Sequence, residues 1–184
     1  DFKADQINMR ALSEGGTSLY KESEATNLKV IDDVFTLGGV GNFSETALNK
    51  ALSGKKVNVE ASIGLYNESL RGTTTPKDFE TMLQLTYLYF TALRTDKEAF
   101  ESWKNKYKAF LMNAQANPMT ALGDTIRKEI YPKSPRIQRM TLEEIDQINY
   151  ARIMKMAKER FSNASDFSFV FTGNIDEATA IPLL

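Results

Sequence analysis

The sequence predicts an α+β fold: a mostly antiparallel sheet of about four strands with helices packed on one face. Three observations carry that prediction. Short segments alternate apolar and polar residues with a period of two, whereas longer ones carry apolar stripes at helical spacing. The order they give, β-α-α-β-β-α-α-α-α-α-β, lacks the regular βαβ alternation that a doubly wound parallel sheet requires.

Residues 6–12 form the first strand, with Ile7, Met9 and Ala11 on one side and Asn8 and Arg10 on the other, and Ser13-Glu14-Gly15-Gly16 turns it. Residues 22–37 read as one helix whose Leu28, Ile31, Val34 and Phe35 share a face, stopped by Gly38-Gly39 in the manner of a C-cap. Ser44 N-caps a short helix through Leu52, ended by Gly54. Residues 55–63 alternate again, with Val57, Val59, Ala61 and Ile63 inward, and residues 65–70 make the second arm of a hairpin.

Thr75 is the expected N-cap of the next helix, with Pro76 at its first position and Asp78 at the positive end of its dipole. Its stripe is Phe79, Met82, Leu83, Thr86, Phe90 and Leu93. A long helix over residues 96–116 places Phe100, Trp103, Tyr107, Phe110, Leu111 and Ala114 on one side, and Pro118 marks its end. Another helix covers residues 119–130 before Pro132 and Pro135 break the chain. Thr141-Leu142-Glu143-Glu144 is a capping box that starts a short helix, and residues 150–161 form one more. Residues 165–173 are the closing strand, with Phe167, Phe169 and Phe171 set against Ser168 and Val170, and residues 176–184 begin a truncated helix.

A length of 184 residues suits a single domain, 1–184, and buries roughly 70% of the unfolded surface. The net charge of −1 provides no field favouring nucleic acid, and no apolar run reaches the roughly 18 residues of a membrane span. The chain starts on Asp1 and ends on Ile181 to Leu184, which reads as a piece of a longer polypeptide.

The sequence contains no histidine and no cysteine. Structural zinc needs thiolate or imidazole ligands, and the common nucleophile systems need an imidazole base. Carboxylates, lysines, tyrosines and hydroxyls are what remain for chemistry. Leu37-Gly38-Gly39-Val40-Gly41 follows a helix rather than a strand, so it is a turn and not a phosphate cradle. Asp32 and Asp33 are adjacent on a helix and point about 100° apart, so they do not converge on a hard cation. Glu22, Glu24, Glu60 and Glu68 show no pairing in their spacing and read as surface charge, the last two on the outer face of the hairpin. Phe79, Tyr87, Tyr89, Phe90, Phe100, Trp103, Tyr107 and Phe110 read as core, with Lys104, Lys106 and Lys108 as a solvated flank.

Several segments in order then resemble one family. Asp1-Phe2-Lys3-Ala4-Asp5-Gln6-Ile7, Ala11-Leu12-Ser13-Glu14-Gly15-Gly16-Thr17-Ser18-Leu19, Gly38 to Ser44, Leu52-Ser53-Gly54-Lys55 and Glu68-Ser69-Leu70-Arg71-Gly72 are similar to the second half of insulinase-type (pitrilysin-type) zinc metallopeptidases. Asp166-Phe167-Ser168-Phe169-Val170-Phe171-Thr172-Gly173-Asn174-Ile175-Asp176 extends the likeness to the end of the chain. The bacterial "zinc protease" branch is the nearest group.

The resemblance implies a parent chain of similar α+β domains in two halves that close around a peptide chamber. It implies zinc in the parent's catalytic domain, held by an inverted H-x-x-E-H motif, and none in this chain. The register that fits best sets Lys29, Asp32 and Asp33 at the positions of His, Glu and His. No metal or catalytic residue is carried over, because the sequence has no histidine. The strand Val57, Asn58, Val59, Glu60, Ala61 and Ser62 matches the edge that pairs with extended substrate in the catalytic domain. The partners implied are the other domains of the parent and the peptide in its chamber, and the compartment implied is the bacterial periplasm or cell envelope. A strand that relatives carry before residue 1 would pair with residues 6–12, and its loss predicts an open edge there and self-association. The chain thus reads as a non-catalytic, substrate-enclosing domain of a zinc metalloendopeptidase; the alternative is a stand-alone protein-interaction module, and a carboxylate-based hydrolase is the remotest reading.

Overall fold

The computed structural model describes residues 5–183. Asp1 to Ala4, the start of the first family-like segment, and Leu184, the end of the expected last helix, lie outside the described residues.

The sheet has four antiparallel strands in the order β2-β3-β1-β4. They are β1 (Ile7–Glu14), β2 (Val57–Ile63), β3 (Asn67–Thr74) and β4 (Ser168–Gly173). Alternation decides the faces: Ile7, Met9 and Ala11 of β1 are buried, whereas Arg10 is exposed. The helical elements are α1 (Ala25–Leu28), α2 (Ile31–Val34), α3 (Glu45–Ala51), α4 (Phe79–Thr91), α5 (Lys97–Gln115), α6 (Pro118–Ile130), α7 (Leu142–Asp146), α8 (Tyr150–Arg160) and α9 (Glu177–Ala180), with short 3-10 turns between some of them. The core joins the apolar sheet face to α4, α8 and the α1–α2 region, and its largest fully buried rings, Phe35 and Phe161, stack at 5.8 Å.

Several local expectations hold. Ser44 accepts the Ala47 amide, and Thr141 with Glu144 completes the capping box. Gly39 lies at φ 81, and a Cβ there would come within 2.2 Å of the Phe43 carbonyl, so only glycine makes that turn.

Others are corrected. The strand over residues 6–12 is not an open edge: β1 pairs with β3 on one side and β4 on the other, so the free edges of the described sheet are β2 and β4. The single helix over residues 22–37 is broken, because Val30 sits at φ −125 and ψ 2 between α1 and α2. Side-chain bonds hold the pieces apart: buried Asn27 accepts the Asn149 amide and Asp32 accepts the Ile63 amide. The second hairpin arm lies at 67–74 rather than 65–70, and Leu65 and Tyr66 fall in the turn. Thr75 precedes a 3-10 turn without capping it, and Asp78 is buried, accepting the Lys56 amide at the start of β2. Tyr87 and Phe110, expected in the core, are 66% and 60% exposed. Lys104 and Lys108 are not simply solvated, since both pair with Asp146, whose carboxyl they hold below the usual range, Lys108 foremost.

Glu68 departs furthest from expectation. It is 2% exposed instead of lying on the outer face. It shares its strand parity with Leu70, so the pleat sends it inward. There its Oε2 accepts the Gly16 amide at 2.7 Å, and Arg160 stands 3.8 Å from its other oxygen. Gly16 is at φ 59, where a Cβ would meet the Gly64 carbonyl at 2.5 Å, so this glycine allows the turn to press its amide against the carboxylate.

Candidate functional site

An H-x-x-E-H motif works only on a continuous helix, where positions i and i+4 share a face and both reach the metal. The break at Val30 removes that geometry before residue chemistry is considered: Lys29 ends α1, whereas Asp32 and Asp33 belong to α2. The three residues then go separate ways. Lys29 is 8% exposed at its side chain and donates to both oxygens of Glu144, at 2.8 and 3.0 Å. Asp32 Oδ1 accepts the Ile63 amide at 2.7 Å. Loss of hydration, and then the charge of neighbouring Asp32, push the Asp33 carboxyl above its ordinary range, the reverse of what a nearby cation does. Among the described residues, no group of three or more metal-ligating side chains comes together.

The strand Val57, Asn58, Val59, Glu60, Ala61 and Ser62 is placed at the sheet's edge, hydrogen-bonded to β3 alone. Its edge is partly filled. The Val59 carbonyl accepts the Tyr89 hydroxyl at 3.2 Å and the Ile63 amide donates to Asp32, so the odd-numbered residues turn backbone groups away from β3. Burial, followed by the charges of Glu60 and Glu45, pushes the Tyr89 hydroxyl upward, which keeps it a donor. Asn58 and Glu60 are exposed and bonded to each other at 2.8 Å.

A cleft of about 360 Å³ opens beside Lys29. Its walls include Lys29 and Glu144, Asp124 and Lys128 of α6, and Arg139 of the following loop. Nothing in the sequence joined these residues, since the other four lie more than 90 positions from Lys29 in the chain. The capping box was the available signal: its Glu144 also accepts the Thr141 amide, so one carboxylate serves the helix start and Lys29 together.

Comparison with known proteins fits this arrangement. No family model matches the chain. It is 22% identical over 174 residues to a zinc protease PQQL-like protein of Arabidopsis thaliana, covering 94% of this chain and 18% of that protein. The periplasmic protease PqqL of Escherichia coli superposes with a TM-score of 0.82 at 19% identity, over 98% of this chain and 20% of that one. A peptidase M16 inactive domain from Pseudomonas fluorescens gives 0.73 at 13% identity, over 100% of this chain and 45% of that one. The fold is thus that of a peptidase-type α+β domain. In fold the chain is similar to domains of peptidases, an inactive M16 domain among them. It spans about a fifth of the length of the first two relatives.

Proposed function

We propose that this chain is one domain of a longer zinc metallopeptidase, where it packs against the other domains and helps enclose the peptide that another domain cleaves. The broken helix at the motif register carries this reading: of the three residues set where zinc ligands and base would stand, Lys29 is spent on Glu144 and Asp32 on the edge of β2. Packing against neighbours is supported by α6, every residue of which is half-buried or exposed, although Met119, Leu122, Ile126 and Ile130 line one side of it. Zinc would belong to the parent's catalytic domain, as the name of the Arabidopsis relative suggests for that protein. A periplasmic or cell-envelope parent is supported by the likeness to a periplasmic protease. The part of β2 that Asp32 and Tyr89 leave free, around Val57 and Ala61, is the surface we assign to passing peptide.

Calorimetry with Zn²⁺, run beside a peptidase assay on this chain and on the parent, tests the reading. The expected result is no tight uptake and no cleavage by this chain, with cleavage by the parent that fails when this domain is deleted. Stoichiometric zinc binding or unaided peptide hydrolysis by this chain would overturn it.

A further inference from the structure

The cleft beside Lys29 is positive in a chain whose net charge is −1. Three cations, Lys29, Lys128 and Arg139, face two carboxylates, Asp124 and Glu144. Both carboxylates are already paired on each of their oxygens. Glu144 takes Lys29 on its two oxygens and the Thr141 amide on one of them. Asp124 takes Arg127 on Oδ1 at 3.0 Å, and Nε and Nη2 of Arg139 on Oδ2. One guanidinium nitrogen is left over: Nη1 of Arg139 is buried and has no hydrogen-bond partner among the described residues. Lys128 likewise lines the cleft without an ion pair among them. A buried cationic donor with no acceptor is costly, and it gains most from an anionic oxygen.

We propose that this cleft binds one carboxylate group of a peptide, held by Lys128 and by Arg139, whose unpartnered Nη1 turns out of its buried position to reach it. Of the three lining cations, Lys128 alone stands outside an ion pair among the described residues, which suits a single negative charge. The volume accepts a few residues at the small end of ordinary ligand sites. Met140 and Pro135 add apolar wall for the residue that bears the carboxylate. The carboxylate comes from a peptide C-terminus or from an acidic side chain, and both sources share this chemistry. Binding here does not depend on a peptidase parent, so its failure and that of the preceding proposal are separately visible.

The test is a calorimetric or NMR titration of the 184-residue chain with N-acetyl-alanyl-alanine, its C-terminal amide, and N-acetyl-glutamate amide. The free acid is expected to bind saturably and about tenfold more tightly than the amide, since losing one charge-assisted contact is worth that much. Binding should weaken as salt rises. N-acetyl-glutamate amide binding as well as the free acid supports the proposal and assigns the acidic side chain as the source. Arg139→Gln should abolish binding. Because it also removes the Asp124 pair, Lys128→Gln serves as the variant that leaves the packing alone, with an expected loss of about threefold to fivefold, as for a partly exposed charge contact. Equal binding of acid and amide, no saturable binding of either carboxylate, or an unchanged affinity in Lys128→Gln would overturn the proposal.

Discussion

β1 and α6 carry comparably clear patterns in the sequence and meet opposite fates. β1 alternates Ile7, Met9 and Ala11 with polar neighbours, and each of the three is at most 2% exposed, flanked by strands on both sides. α6 spaces Met119, Leu122, Ile126 and Ile130 along one face, and these are 71%, 51%, 48% and 61% exposed. Periodicity says which side of an element prefers to leave water; it does not say that the same chain provides the cover. In this molecule the core was completed by the sheet, α4 and α8, and α6 was left facing outward.

The sharpest way to break that contrast is to cut into each region. Phe161 is fully buried against Phe35, Phe90 and Phe167, so Phe161→Ala should cost about 3–5 kcal/mol in urea unfolding. A loss below about 1 kcal/mol would mean that the core does not close around it. Glu68→Ala should follow, at about 2–3 kcal/mol, because it strands the Gly16 amide and leaves Arg160 facing an empty site. Stability unchanged in that variant would return Glu68 to the surface role its charge suggests.

Asp32→Ala should cost about 1 kcal/mol and speed hydrogen exchange at the Ile63 amide, which it would leave unbonded at the edge of β2. Unchanged exchange there would show that the edge is held by other contacts. The smallest effect belongs to α6: Ile126→Ser in the isolated chain should change stability by no more than about 0.5 kcal/mol, while lowering any association seen in sedimentation. A cost above about 2 kcal/mol would mean that this face is covered after all, and the comparison with β1 would fall.

How much could be read in advance depended on range. The helix starts at Ser44 and Thr141 were legible because each cap closes within three residues, as Ala47 to Ser44 and Glu144 to Thr141 do. The hairpin was legible as a pair of alternating runs, although its second arm slid, since Leu65 and Tyr66 are as apolar as a strand and are exposed in the turn. The helix over residues 22–37 was misread because its break is enforced from Asn149 and Ile63, 122 and 31 residues away. Of the candidate site, the want of zinc ligands was plain in the composition, but the ties of Lys29 and Asp32 and the cleft with Arg139 were not.

By itself the sequence determined the class of fold, the chemistry that is excluded by having no imidazole or thiol, and the positions of caps and alternating strands, because these depend on side-chain identity and on neighbours a few residues off. Only the tertiary structure decided that β1 lies inside the sheet, that Glu68 turns inward, and that α6 keeps its apolar side in water. Those outcomes depend on which surfaces meet across long stretches of chain, and local periodicity carries no record of the partner.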